Sequence, residues 1–292
     1  MKEIVIISGK GGTGKTSLAA ALAFLSGEEA IIADCDVDAA DMHLLLSPDF
    51  GRAEDFYSGQ LANINNGSCI SCDLCRQKCR FDAIYSDGGI YNVNALNCEG
   101  CGYCARICPV DAITMDDQCA GEFYISHTRI NSTLVHAKLA AGAENSGKLV
   151  AKVKTEARKL AEDKSKKYVI ADGSPGIGCP VISSLSGADF VVIVTEPSVS
   201  GIHDLKRVHE LVRKFDIKAS CIINKYDINP DITAQILEYI DSMSVMHLCN
   251  IPYSSNFTRA ITQGLTVMEN GYSEIEMLIG DAWDKIRKSI NT

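Results

Sequence analysis

Ten residues near the N-terminus, SGKGGTGKTS (8–17), leave few ways for this chain to begin. Gly9 to Thr16 satisfy the phosphate-loop pattern G-x-x-x-x-G-K-[ST]. The apolar run EIVIIS (3–8) before the loop reads as a buried parallel strand, and LAAALAFL (18–25) after it reads as a helix. In that setting the glycines turn backbone N–H groups inward around phosphate, and the helix N-terminus adds a positive dipole. Gly9, Lys10, Gly11, Gly12, Thr13, Gly14, Lys15, Thr16 and Ser17 are the candidate nucleotide-binding residues. Lys15 is expected to reach the outer phosphates, and the Thr16 hydroxyl to bind Mg²⁺.

The rest of the chain repeats the same rhythm. Apolar, β-branched runs recur at EAIIADCD (29–36), KKYVIADGSPG (166–176), ADFVVIVTEP (188–197), KASCIINKYD (218–227) and VMHLCNIPYS (245–254). Between them, GIHDLKRVHELVRKF (201–215) and PDITAQILEYIDSM (230–243) place their apolar residues at helical spacing. Strand and helix in alternation predict an α/β fold, a doubly wound and mainly parallel sheet covered on both faces. A last segment, 274–290, carries Ile275, Leu278, Ile279, Trp283 and Ile286 at helical spacing. It reads as a helix docked on the body, because its acids disfavour an anionic membrane surface.

The alternation stops between about 60 and 118, where the chain repeats itself. CISCDLCRQKCRFDAI (69–84) and CEGCGYCARICPVDAI (98–113) align at a constant offset of 29. Each half reads C-x₂-C-x₂-C-x₃-C, the spacing with which bacterial-type ferredoxins hold two 4Fe–4S clusters, the fourth cysteine of each half serving the other cluster. The resemblance assigns Cys69, Cys72, Cys75 and Cys108 to one cluster and Cys79, Cys98, Cys101 and Cys104 to the second. Zinc would need neither the third cysteine of each triplet nor the duplication. The second half ends in Cys108-Pro109 as the pattern expects, but the first ends in Cys79-Arg80. The expected organisation is a discontinuous P-loop domain (1–59 and 119–292) with a small α+β two-cluster ferredoxin insert (60–118). GEFYISHTRI and STLVHAKLAAG, between 119 and 150, read as two strands leading out of the insert.

KGGTGKT (10–16) resembles the deviant Walker A motif of the MinD/Mrp and nitrogenase iron-protein class of P-loop ATPases. In that family the early lysine crosses a dimer interface and stabilises charge on the transferred phosphoryl group. Carried over, Lys10 implies a homodimer, or a heterodimer with a paralogue, that sandwiches ATP. Asp36 in DCDVDAAD (34–41) matches the acid that orients the attacking water and lies near Mg²⁺, with Asp34, Asp38 and Asp41 as competitors. Asp172, at the end of YVIAD, matches the Walker B acid beside Mg²⁺, and GSPG (173–176) the second switch. Asn224 in NKYD (224–227) stands where the family hydrogen-bonds the base, and a plain turn is the alternative. Cys179 lies seven residues after Asp172, the offset of an interface cluster cysteine in the nitrogenase iron protein. It reads either as an interface or metal thiol or as a structural one, and Cys119 is only a loose candidate for its counterpart.

The net charge of −9 argues against a nucleic-acid partner. No secretory pattern occupies residues 1–30, and no apolar run approaches the roughly 20 residues of a membrane span, so a cytoplasmic protein without a membrane partner is expected. Thirteen cysteines fit a reducing compartment in which metal binding is the use. Cys35, Cys221 and Cys249 sit in apolar strand contexts and read as small buried hydrophobes. The expected function is an ATP-hydrolysing, Mg²⁺-dependent iron–sulfur protein that couples dimer closure to electron transfer with a redox partner. The alternatives are a cluster or metallocofactor assembly ATPase and, from another class, a positioning module that uses ATP to bind a surface.

Overall fold

The computed structural model describes residues 1–140, 142–143, 145–269, 271 and 273–291, the side chain of Ser273 excepted. The chain forms two compact units. The first comprises Met1–Glu54, Phe123–Lys138 and the chain from Ser146 onward; the second comprises Asp55–Glu122 and Leu139–Asn145.

The strands are β1 (Lys2–Ser8), β2 (Ala30–Asp34), β3 (Arg52–Ile64), β4 (Ile84–Asp87), β5 (Ile90–Val93), β6 (Ile113–His127), β7 (Thr133–Leu139), β8 (Tyr168–Pro175), β9 (Phe190–Thr195), β10 (Lys218–Asn224) and β11 (Met246–Ile251). The helices are α1 (Lys15–Ser26), α2 (Met42–Leu46), α3 (Leu74–Lys78), α4 (Tyr103–Arg106), α5 (Ser146–Asp163), α6 (Cys179–Leu185), α7 (Val199–Lys214), α8 (Pro230–Ser242), α9 (Ser255–Thr262) and α10 (Ser273–Ile290). One sheet runs β11-β10-β9-β1-β8-β2-β7-β6-β3. Its pairings from β11 across to β7 are parallel. The two flanking strands β3 and β6 are shared between the units, which divide after Glu54 and after Glu122.

Burial on both faces explains the sequence of the central strands. Ile4, Val5, Ile6 and Ile7 are all sealed from solvent, as are Val191 to Val194, so these strands are continuous apolar runs rather than alternating ones. Helix α1 buries Leu18 to Ala23 throughout, and its alanines let the helix lie close to the sheet. The C-terminal helix α10 is docked as its spacing predicts. Ile275, Ile279, Trp283 and Ile286 join the core of α1 and the strands, and the Trp283 ring meets Tyr168 edge-on at 5.3 Å. Among the described residues, no helix is long and apolar enough to cross a membrane.

The second unit contains the repeat. Its backbone obeys the offset of 29 at several independent points. Left-handed residues occur in pairs: Ser71 and Gly100 (φ 54° and 62°), Asp73 and Gly102 (64° and 68°), Asp82 and Asp111 (49° and 51°). The halves also exchange equivalent bonds: Asn65 N–H donates to Ala112 O at 2.8 Å, and Asn94 N–H donates to Ala83 O at 2.7 Å. The two halves are related by a pseudo-twofold in which each closes a bond on the other. β6 begins at Ile113, inside the second repeat, so the strand leading out is longer than the sequence pattern suggests.

Candidate functional site

The phosphate loop follows from the end of β1. Gly14 takes φ 89° at the N-cap of α1, a conformation open to glycine at little cost. A Cβ there would also lie 2.4 Å from Asn224 Nδ2. That amide donates to Thr13 O at 2.8 Å, while Asn224 Oδ1 accepts from Lys225 N–H at 3.0 Å. Asn224, expected at the base, is thus buried as a brace beneath the loop.

Parallel pairing gathers the charged residues at the carboxyl ends of adjacent strands, where open α/β sheets place their ligands. Asp34 and Asp172 are directly paired on β2 and β8. Lys15 Nζ, nearly buried, lies 2.7 Å from Asp172 Oδ1 and 3.2 Å from Asp36 Oδ2. Burial pulls the Lys15 pKa down, but Asp172 and Asp36 outweigh it, and the ammonium is held above its usual range. Burial raises Asp34 well above the carboxylate range, with Asp172 adding to it. Asp36 is raised by burial and by Asp172, against the pull of Lys15. Asp34 also accepts from Asp36 N–H (3.1 Å) and Met42 N–H (3.4 Å), an anchoring role that its place among four acids did not reveal. Asp38 bears on the Lys15 group through its charge, which also raises Asp36. Thr16 Oγ1 is 3.4 Å from Lys15 Nζ.

Lys10 is folded onto its own chain. Its Nζ lies 2.7 Å from Glu196 Oε1, 3.1 Å from Ser198 Oγ and 2.9 Å from Ser200 Oγ. Lys225 Nζ reaches the other oxygen of Glu196 (2.9 Å) and Gly12 O (3.0 Å). Glu196 was not singled out from the sequence, although it lies just past the end of β9 as Asp36 lies just past the end of β2.

In the second unit the eight clustered cysteines divide between two cavities. Cys69, Cys72, Cys75 and Cys108 line a narrow one, with Ile64, Ile70 and Ile113 among its walls. Cys79, Cys98, Cys101 and Cys104 line the other, of about 520 Å³, with Lys78, Arg80 and Glu99 on its wall. The thiols stand around these cavities without converging: among the described residues no three His, Cys, Asp or Glu side chains are grouped for a single metal ion. The apolar core of this unit is built from Ala62, Ile64, Ile84, Tyr91 and Ile113, with six of the cysteines packed against it. Cys179, exposed at the start of α6, belongs to the first unit and Cys119, also exposed, to the second. Cys35, Cys221 and Cys249 are buried, and burial pushes the last two thiols up to about 12.

Residues 4–267 match the family model described as the CobQ/CobB/MinD/ParA nucleotide binding domain. The chain belongs to this family. The MinD/ParA-type chain is 30% identical to "Uncharacterized protein MJ0578" of Methanocaldococcus jannaschii over 290 residues, covering 99% of this chain and 97% of that one. It is 29% identical to "Uncharacterized protein MJ0579" of the same organism over 251 residues, covering 78% and 83%. Its fold resembles the septum site-determining protein MinD of Pyrococcus horikoshii OT3 solved with Mg-ADP (TM-score 0.58, 18% identity, 98% and 96% covered). It likewise resembles the Cyanothece McdA(D38A)-ATP complex (TM-score 0.59, 17% identity, 98% and 96% covered).

The MinD/ParA-type site fits a nucleotide with its divalent cation. Asp172 is fully buried, yet its Oδ2 has no hydrogen-bond partner, and neither does the buried Thr13 Oγ1. Burial and mutual repulsion resist ionisation of Asp34 and Asp36 beside Asp172, and a cation would relieve that repulsion. Thr16, Asp36 and Asp172 are the residues that would hold Mg²⁺, which would shield charge on the phosphates.

Proposed function

We propose that this protein is an ATPase in which nucleotide binding and hydrolysis gate electron transfer through two 4Fe–4S clusters. The observation that carries the reading is the division of eight cysteines into two four-thiol cavities by a backbone that repeats at an offset of 29. A cubane cluster takes one thiolate at each iron, so its ligands surround a volume rather than meet at a point. The small apolar core of the second unit supports the same reading, since a unit of this size gains stability from a metal group. The insert is then a bacterial-type two-cluster ferredoxin module within a P-loop ATPase.

In the ATPase the chain's own residues divide the work. The 9–17 loop binds the phosphates, Lys15 neutralises them, and Asp36 orients the attacking water. Lys10 leaves Glu196 and reaches the nucleotide of a second copy, or of a paralogue, across an ATP-sandwiched dimer. A coupling free energy of about 1–3 kcal/mol between sites is typical. One elementary charge across 100 mV corresponds to about 2.3 kcal/mol, so nucleotide state is an adequate lever on docking or potential. Ile275, Ile279, Trp283 and Ile286 of α10 are turned into the core, which disfavours the surface-positioning alternative.

Anaerobic reconstitution, iron and sulfide analysis, and EPR-monitored redox titration with and without MgATP test this. The expected result is two clusters per chain whose potentials, or reduction rate by a partner, respond to nucleotide. Two clusters indifferent to nucleotide would sink the gating role. Iron passing to an apo-acceptor would point instead to cluster assembly.

A further inference from the structure

Among the positions at which the two halves of the second unit differ in charge, one directly follows the fourth cysteine of the repeat. Pro109 follows Cys108, whereas Arg80 follows Cys79. The backbone around the two is the same. Asp82 and Asp111 share a left-handed φ of 49° and 51°. Cys79 N–H donates to Arg76 O at 3.3 Å, as Cys108 N–H does to Ala105 O at 3.4 Å. Arg80 is therefore a change of side chain on an unchanged scaffold.

The charges around the two cavities show what that change does. At the narrow cavity Asp73 is bound by Arg76 in a two-pronged pair (2.6 and 2.7 Å), and the two charges cancel. At the large cavity Lys78 and Arg80 stand with the single acid Glu99, all three exposed and none in an ion pair among the described residues, so one positive charge is in excess. A four-thiolate cluster becomes more negative on reduction, so a neighbouring cation favours the reduced form and raises the potential. One influence opposes this. Ser71 N–H and Ala112 N–H point at the sulfurs of Cys69 and Cys108, at 3.4 and 3.3 Å, and favour reduction of the other cluster. These are partial charges, set against the full charge of Arg80.

We propose that Arg80 makes the two clusters unequal. It raises the potential of the cluster held by Cys79, Cys98, Cys101 and Cys104 above that of its neighbour, so an electron entering the unit rests there. This inference depends on the two cavities being cluster sites.

The test is an anaerobic potentiometric titration of the full-length protein with dithionite, followed by EPR. Each wave is a one-electron reduction of a cluster, with no bond made or broken. Wild-type protein should give two waves. Arg80→Gln should shift the reduction equilibrium of the upper wave by a factor of about 3–10 toward the oxidised form, a tenfold change being about 59 mV, with the lower wave unmoved. Arg80→Pro, which repeats the other half, should move the same wave downward, and Arg80→Lys should keep it near wild type. If Arg80→Pro fails to assemble, the Gln and Lys variants carry the comparison. An upper wave unmoved by Arg80→Gln, a shift of the lower wave instead, or an equal shift of both would overturn the proposal. Wild-type protein without iron and sulfide would overturn the cluster reading and this inference together. Two intact clusters indifferent to Arg80 would overturn this inference alone.

Discussion

The ammonium of Lys15 engages only one oxygen of Asp172: Oδ1 lies 2.7 Å away, and Oδ2 is buried without a partner. An idle carboxylate oxygen in a dry site is costly unless a ligand completes it. Asp172→Asn should therefore abolish the dependence of nucleotide affinity on Mg²⁺ while leaving Mg²⁺-free binding largely intact. Hydrolysis should fall at least about a hundredfold, the scale of losing one positioned charge in a reaction site. Titration of a fluorescent ATP analogue with and without Mg²⁺ checks this; an unchanged Mg²⁺ dependence would remove Asp172 from the cation site.

Gly14 and Gly11 should separate backbone need from mere loop composition. Gly14→Ala forces a methyl into φ 89° and to within 2.4 Å of the Asn224 amide. We expect a loss of about 1–3 kcal/mol in denaturant-induced unfolding. A Cβ on Gly11 meets nothing within 4 Å, so Gly11→Ala should leave the stability of the nucleotide-free protein within about 0.5 kcal/mol of wild type.

Lys10 should matter to turnover and not to assembly of the second unit. With Nζ held by Glu196, Ser198 and Ser200, the side chain must change partners to act on another subunit's nucleotide. Lys10→Ala is expected to lower hydrolysis at least about a hundredfold, in line with other charges supplied to phosphoryl transfer. Its iron content and visible absorbance should match wild type. Hydrolysis that survives the substitution would end the proposed role in trans.

His136 supplies a pH dependence. Burial lowers its pKa from the ordinary 6.5 to about 4, and its ring stacks on Tyr124 while Nε2 pairs with Ser126 Oγ at 2.9 Å. Between those two values the unfolded chain binds a proton that the folded one refuses, so this contribution to stability falls as pH drops from 6.5 to 4. The decline attributable to the group is on the order of 3 kcal/mol. Unfolding curves across that range should be flatter for His136→Gln than for wild type, and equal slopes would assign the acid sensitivity elsewhere.

Removing the metal should affect one unit selectively. Cys75 packs on the small apolar core of the second unit, so Cys75→Ala or iron chelation should unfold that unit at lower temperature. Nucleotide affinity of the first unit should hold within a factor of about three. Calorimetry with parallel nucleotide titration reads both; loss of nucleotide binding along with the iron would show that the units do not melt independently.

The sequence made the central sheet legible because buried parallel strands are unbroken apolar runs, and Ile4–Ile7 or Val191–Val194 have no alternative use. The cysteine partition was legible for a different reason, an offset of 29 with no gaps. What stayed hidden depended on contacts between distant segments. Asn224 in NKYD reads as a base ligand, and nothing in that motif signals its hydrogen bond to Thr13 O beneath the loop. Asp34 looked interchangeable with its neighbours until pairing set it beside Asp172. Glu196 carries no motif, and only the pairing of β9 with β1, which sets Val194 beside Ser8, brings it to Lys10. The extent of β6 escaped because its first residues lie in the cysteine repeat, where thiol spacing masks strand alternation.

The reciprocal bonds between Asn65 and Ala112 and between Asn94 and Ala83 mean that neither repeat is a self-sufficient piece. Gly88 and Gly89 form the exposed tip of the hairpin between them. A protease cutting there would sever the peptide path from one half to the other without parting them, because each would still be clasped by its twin. Damage to either half's own fold, in contrast, withdraws a clasp from both, so this unit is lost whole or kept whole.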